Sequence, residues 1–281
     1  RKKRIAFFAV AGVAVGVMTL IVVLSVMSGF DKELRSKIRG TLAHIIVSKM
    51  GIYGLDNYEE IINEIQSFKH VESCAPYIEG PALINVRGTK EFVYFRGIDP
   101  IAESKVNDLE RYMEEFGDKP EDLLLVHGDK KIPSAFGGIE LLRTNPGNYK
   151  TNPESFVNNG EKVVLVAIKG WDKISVKAFI ITGKVKSGMY DVDKNYIYIP
   201  LKIAQVLVGT KDSVTAISVR LDDYKNAPFV RDLLQKELGF GFFVQTWEEA
   251  RGTFLKAVAL EKRVMAFILF FIRNSITANN D

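Results

Sequence analysis

Residues 5–27, IAFFAVAGVAVGVMTLIVVLSVM, carry no charged side chain. As a helix these 23 residues reach about 35 Å, enough to cross a hydrocarbon core of about 30 Å. No other stretch of the chain is as long and as apolar. The rest is mixed in character, so the sequence predicts a membrane protein that holds a large water-exposed domain against the bilayer. A signal peptide is the competing reading. It wants an apolar core of about 7–15 residues and a small-residue cleavage site, and the SVMSGF context at 25–30 is a poor one.

Charge separates the two parts. The formal net charge is +4, and Arg1, Lys2, Lys3 and Arg4 supply all of it; beyond them 34 basic residues face 34 acidic ones. A balanced domain argues against nucleic-acid binding, which wants a concentrated basic face. The basic tetrad favours a cytoplasmic N-terminus. Lys32, Arg35, Lys37 and Arg39 on the far flank tie the count, but they open a long domain, where the rule has less force. The chain does not begin with Met and is expected to be a fragment. Cys74 is the single cysteine, cannot form an internal disulfide, and is expected as a small buried hydrophobe.

The apolar run does not stop at the bilayer surface. Phe30, Leu34 and Ile38 recur at helical spacing among Asp31, Lys32, Arg35 and Lys37, which predicts an amphipathic stalk or an ordinary juxtamembrane helix ending near Gly40. A strand at 44–48, a helix at 58–68 capped by Asp56 or Asn57, and a strand at 71–77 follow. Near the other end the order repeats, with strand 216–221, a helix starting at 222–224, breakers Gly239 and Gly241, and strand 242–247. Two such units predict a split α+β sandwich. Between them, a polar helix at 101–116, a polar loop at 143–161, strands 162–168, 175–186 and 195–199, and a helix at 201–208 predict a mostly β insertion. Residues 264–272, VMAFILFFI, are too few to span and predict the start of a second membrane helix or a surface helix.

Catalytic signatures are missing. Gly183-Lys184 continues into Val185 without the glycine a phosphate loop needs five residues earlier. His44, His70 and His127 have no metal-ligand spacing and are expected to be structural or solvated. Residues 191–195, DVDKN, imitate a calcium loop, but Tyr196 and Lys202 stand where Gly and Glu are required, so a polar β-turn is expected.

Residues 16–34, GVMTLIVVLSVMSGFDKEL, closely resemble the first membrane helix of the LolC/LolE lipoprotein-releasing permeases, with MacB and FtsX permeases as more distant relatives. Supporting matches are Gly97-Ile98-Asp99-Pro100, the stretch from Gly188 through Asp193 to Leu201, and Thr246-Trp247-Glu248-Glu249 leading to Lys262. The resemblance covers nearly the whole chain and weakens over 143–161.

The resemblance implies an α+β architecture: a membrane helix at 1–28, a stalk at 29–42, a Porter-like strand–helix–strand subdomain at 43–99 with 214–250, a Sabre-like mostly β subdomain at 100–213, and the start of membrane helix two at 251–281. It implies a permease in the bacterial inner membrane with its large domain in the periplasm, paired with a second permease, identical or different. No cofactor belongs to such a chain; ATP and Mg are used by a separate ATP-binding subunit. The implied cargo is a lipoprotein, handed to a periplasmic chaperone. Thr19, Val23, Met27 and Phe30 share one helix face, and the resemblance assigns that face to acyl chains. It assigns Leu34 and Ile38 to coupling, and Gly209, Thr210, Lys211, Asp212 and Ser213 to a chaperone-facing loop. That loop lacks the family's aromatic–proline tip, which leaves a LolC-like and a LolE-like role both open. A mechanotransmitting FtsX-like regulator of a periplasmic partner is the alternative function, and a membrane-anchored adhesion or sensor module a third.

Overall fold

The computed structural model describes residues 2–41, 43–51, 54–143, 157–170, 173–210 and 212–250, with 252, 260, 263–265 and 267 beyond them. In the first helix it does not describe the side chains of 2–6, 8, 9, 13, 20, 31 and 34–41. The loop expected at 143–161 and the helix expected at 264–272 fall largely outside the described residues. Two compact units result: Arg1–Ser36 with Glu248–Asp281, and Lys37–Trp247.

Helix α1 (Lys2–Thr41) is unbroken for 40 residues and passes Gly40 by one. Its segment Val10–Phe30 is long and apolar enough to cross a membrane. Phe7, Val10, Val15, Met18, Ile21, Val22 and Val26 are all exposed. A helix that shows large apolar groups on every side is one made for lipid or for neighbouring helices.

The Lys37–Trp247 unit is built on a ten-stranded sheet. Its first part comprises β1 (Ile45–Lys49), α2 (Tyr58–Gln66), β2 (Val71–Val86) and β3 (Thr89–Ile98). Next come α3 (Pro100–Val106), α4 (Leu109–Glu114), a 3-10 turn (Pro120–Leu124), β4 (Val126–His127), β5 (Ile132–Gly138) and α5 (Ile139–Arg143). Then follow β6 (Lys162–Lys169), β7 (Lys173–Val185), α6 (Tyr190–Asn195), β8 (Tyr196–Pro200) and α7 (Leu201–Val208). The unit closes with β9 (Ala216–Leu221), α8 (Ala227–Leu238) and β10 (Phe242–Thr246), and α9 (Trp247–Ala250) follows.

Two sheet geometries share β2. On one side the order is β10-β1-β9-β2, all antiparallel, so strands from the two ends of the unit interleave. On the other side β2 continues to β3, β8, β5, β7 and β6, and β6 pairs back onto β2 at Ala82–Asn85. That return closes a six-stranded barrel, with β3–β8 and β5–β7 as its parallel pairs. The sheet runs without interruption across the boundaries expected at 99/100 and 213/214.

The main core lies on one face of the open sheet and inside the barrel. It joins Val47, Ile65, Ile78, Val219, Val230 and Leu234 to Ile84, Phe95, Leu165, Phe179 and Ile197. A second core on the opposite face gathers Tyr77, Leu109, Met113, Leu123, Phe136 and Tyr198 under α3, α4 and the 3-10 turn. Gly97 is required here: a Cβ on it would overlap the Cβ of Ala204 in α7. The Gly-Ile-Asp-Pro match therefore has a local cause, and Asp99 completes it by capping α3 through Ile101 and Ala102 N–H.

Several local expectations change. Asn57 precedes α2 in the left-handed region (φ 52°) and gives no side-chain cap; Asp56 instead accepts from Ser213 Oγ. The helix expected at 101–116 splits into α3 and α4. The helix expected at 222–224 begins as a 3-10 turn, Tyr224–Asn226, with Asp223 accepting from Lys225 N–H. Residues 191–195 form one turn of helix in α6, not a β-turn. Buried Asp193 explains it, because it accepts from Ser187 N–H, Ser187 Oγ and Gly188 N–H at 2.7–3.1 Å and folds the segment back on itself.

Candidate functional site

The four residues assigned to acyl contact lie on α1. Thr19 is exposed, and its hydroxyl donates to the Val15 carbonyl at 2.9 Å, so it presents a methyl rather than a free donor. Val23 and Met27 are half-buried and Phe30 is exposed. Because α1 exposes apolar groups all round, burial does not single out their face. Leu34 and Ile38 lie in α1 with side chains outside the described residues.

The expected loop at 209–213 is held down rather than extended. Gly209 ends α7 in the left-handed region (φ 83°), and Gly209 N–H and Thr210 N–H both donate to Gln205 O. Ser213 O accepts from Gln205 Nε2 and Thr210 Oγ1, both at 3.4 Å, while Ser213 Oγ donates to Asp56. Asp212 is exposed, and Lys211 lies outside the described residues.

The histidines serve as hydrogen-bonding groups. His44 Nδ1 accepts from Leu221 N–H at 3.1 Å, His70 Nδ1 pairs with Asp222 at 2.8 Å, and His127 Nε2 meets Ser134 Oγ at 2.9 Å. Cys74 is buried, and that burial pushes its thiol up to about 12.

The structure adds a charged cluster that sequence spacing did not reveal. Arg96 of β3 is largely buried and donates to Glu79 of β2 at 3.2 Å and to Glu103 of α3 at 3.1 and 3.3 Å. Its guanidinium lies 3.7 Å from the centre of the Tyr77 ring. Tyr196 donates to the other oxygen of Glu79 at 3.0 Å, and Asn107 Nδ2 to Glu103 Oε1 at 2.7 Å. Burial opposes the charge on Arg96, but Glu103, Tyr77 and Glu79 outweigh it and hold the guanidinium above its ordinary range. Burial pushes the Tyr77 phenol up to about 12 despite that cation, and raises Tyr198 likewise. The cluster ties two barrel strands to the helix covering them. Its charged groups pair with one another, as in a clamp, while Glu103 Oε2 and Asn107 Oδ1 stay buried without a hydrogen-bond partner.

The outer barrel wall offers a different surface. Leu83 stands opposite both Phe92 and Val166, Val166 opposite Val176, and Ile168 opposite Ile174. Leu83, Phe92, Tyr94, Ile168, Ile174 and Val176 are all exposed. Tyr94 stacks on Tyr196 (5.8 Å between centres), and Phe92 meets Tyr94 edge-on. A continuous apolar band across four strands is the signature of an interaction surface rather than of chemistry.

Several known proteins resemble this chain. Residues 6–124 match the model of the MacB-like periplasmic core domain. The lipoprotein-releasing system transmembrane protein LolC of Neisseria meningitidis is 31% identical over 276 residues, covering 95% of this chain and 62% of that protein. LolE of Haemophilus influenzae is 24% identical, covering 95% of this chain and 62% of that protein. The chain thus spans about three fifths of the length of these curated relatives. The periplasmic region of MacB from Actinobacillus actinomycetemcomitans superposes with a TM-score of 0.44 at 16% identity, covering 77% of this chain and 95% of that one. In sequence, the chain is thus similar to the LolC/LolE proteins over nearly its whole length, and residues 6–124 match the MacB-like periplasmic core domain.

Proposed function

We propose that this chain is the permease subunit of an ATP-driven complex that extracts lipoproteins from the inner membrane towards the outer membrane. The observation that carries the reading is the 31% identity to LolC across 95% of the chain, including the first-helix motif. In this reading the N-terminus is cytoplasmic and the Lys37–Trp247 unit is periplasmic. A separate subunit hydrolyses ATP with Mg, and a second permease completes the complex. Thr19, Val23, Met27 and Phe30 meet the acyl chains of the cargo. Apolar, flexible side chains such as Met27 tolerate chains of varied shape. Residues Phe30 to Ile38 of the unbroken α1 carry motion, which a flexible linker would dissipate. The apolar band on the barrel wall supports contact with a protein partner, and the tethered loop 209–213 is a secondary candidate for the chaperone.

A photo-crosslinking amino acid at Met27 of the full-length protein in intact membranes tests this. Trapped lipoproteins are expected. Crosslinks to lipid and neighbouring helices alone would sink the transport reading and favour a mechanotransmitting role.

A further inference from the structure

The open half of the sheet ends at β10, which pairs with β1 on one side and, among the described residues, with no strand on the other. Such a strand turns N–H and C=O groups outward at every second residue. Through these groups another chain can add itself to the sheet. Here a side chain occupies them. Gln235 reaches from α8, accepts from Val244 N–H through Oε1 at 3.1 Å, and donates through Nε2 to the Phe242 carbonyl at 3.0 Å. The two groups it meets are two residues apart on β10. One residue of a neighbouring parallel strand, through its own N–H and C=O, would meet the same pair. Nε2 also donates to Gly239 O at 3.3 Å, which ties the carboxamide to the turn that feeds the strand.

That turn is unusual in its own right. Gly239 and Gly241 both take positive φ (76° and 98°), and Phe240 between them is fully exposed. Phe243, further along β10, is also exposed. An incoming strand would find apolar side chains beside the backbone groups it needs.

We propose that Gln235 is a side-chain surrogate for an eleventh strand: it closes the β10 edge to strand addition, and its withdrawal makes that edge an acceptor for an extended apolar peptide. The inference rests on the β10 geometry and is independent of the cargo.

Hydrogen exchange at single-amide resolution on the full chain in nanodiscs tests the closure. In Gln235→Ala the Val244 amide should exchange about tenfold faster, as expected for the loss of one hydrogen bond. In Gln235→Glu the rise should be smaller, because a carboxylate still accepts from Val244 N–H although it cannot donate to the Phe242 and Gly239 carbonyls. Unchanged amides in β9 report an intact sheet in either variant. A fluorescein-labelled peptide of the β1 sequence, IIVSK, should be retained by Gln235→Ala and not by wild type. Equal Val244 exchange in wild type and Gln235→Ala overturns the closure. An opened Val244 amide with no peptide retained overturns the acceptor role.

Discussion

The open sheet and the barrel share β2 but solve the same problem differently. A sheet must satisfy its edges and bury one face. The barrel abolishes its edges by bringing β6 back onto β2, and invests in close backbone packing and a buried charge cluster on its wall. The open half keeps a free edge and manages it from the surface, with Gln235 on β10 and a His70–Asp222 contact between the turns of its two strand–helix units. Closure puts stability into interior geometry, where single changes are costly. An open edge is held by half-buried side chains such as Gln235.

The largest effect should come from the barrel wall. Arg96→Met leaves Glu79 and Glu103 facing each other without their cation, and breaking a buried pair this way costs about 3–5 kcal/mol. Unfolding of the detergent-solubilised chain in urea, followed by the fluorescence of buried Trp247, measures it. Adding Glu103→Gln should recover part of the loss. Little change on Arg96→Met would mean that the wall does not depend on the cluster.

Gly97→Ala comes next. The added methyl must displace α7 from β3, an overpacking cost of about 1–3 kcal/mol. Pairing it with Ala204→Gly should restore most of the stability, and a failure to do so would place the strain elsewhere.

Alkaline pH should act on the same wall more gently. Unfolded tyrosines ionise near pH 10, whereas folded Tyr77 holds its proton to about 12. The unfolded chain therefore loses protons first, and this stability is complete below about pH 10 and is lost as pH rises towards 12. Urea midpoints between pH 8 and 11 should fall, and fall less in Tyr77→Phe.

The smallest effect belongs to the open half. Its hydrogen bond to His70 chiefly holds the exposed Asp222 carboxyl below its ordinary value. That contribution is present above the usual carboxylate range and disappears as pH falls through the lowered value. Asp222→Asn should slightly flatten the acid limb of the stability profile. A drop as large as that of Arg96→Met would erase the contrast between the halves.

How much of this was legible depended on locality. Helix α1, strands β6, β9 and β10, and helices α7 and α8 announced themselves by an uncharged run, by alternation, or by glycine stops. Strand β2, expected at 71–77, runs on to Val86 although Gly80 and Pro81 are poor strand residues. It survives because Pro81 lies where β2 has left β9 and has not yet met β6, so β3 is its only ladder partner. Strand β5 showed no alternation, since nearly all of it is buried. Barrel closure and the Arg96 cluster join residues from distant elements, and no periodicity encodes them. Gln235 looked like any polar residue on an amphipathic helix.

One consequence concerns modularity. Strands β1 and β10 are antiparallel neighbours with Ile45 opposite Thr246, and Trp247 N–H donates to the His44 carbonyl at 3.1 Å. The first and last strands of the sheet therefore begin and end about 5 Å apart, at Ile45 and Thr246. Domains with adjacent ends are the ones that insertion tolerates. Seen this way, the segment from His44 to Trp247 is a cassette. A short linker could bridge the gap left by its removal, and another domain with equally close ends could take its place between the flanking segments.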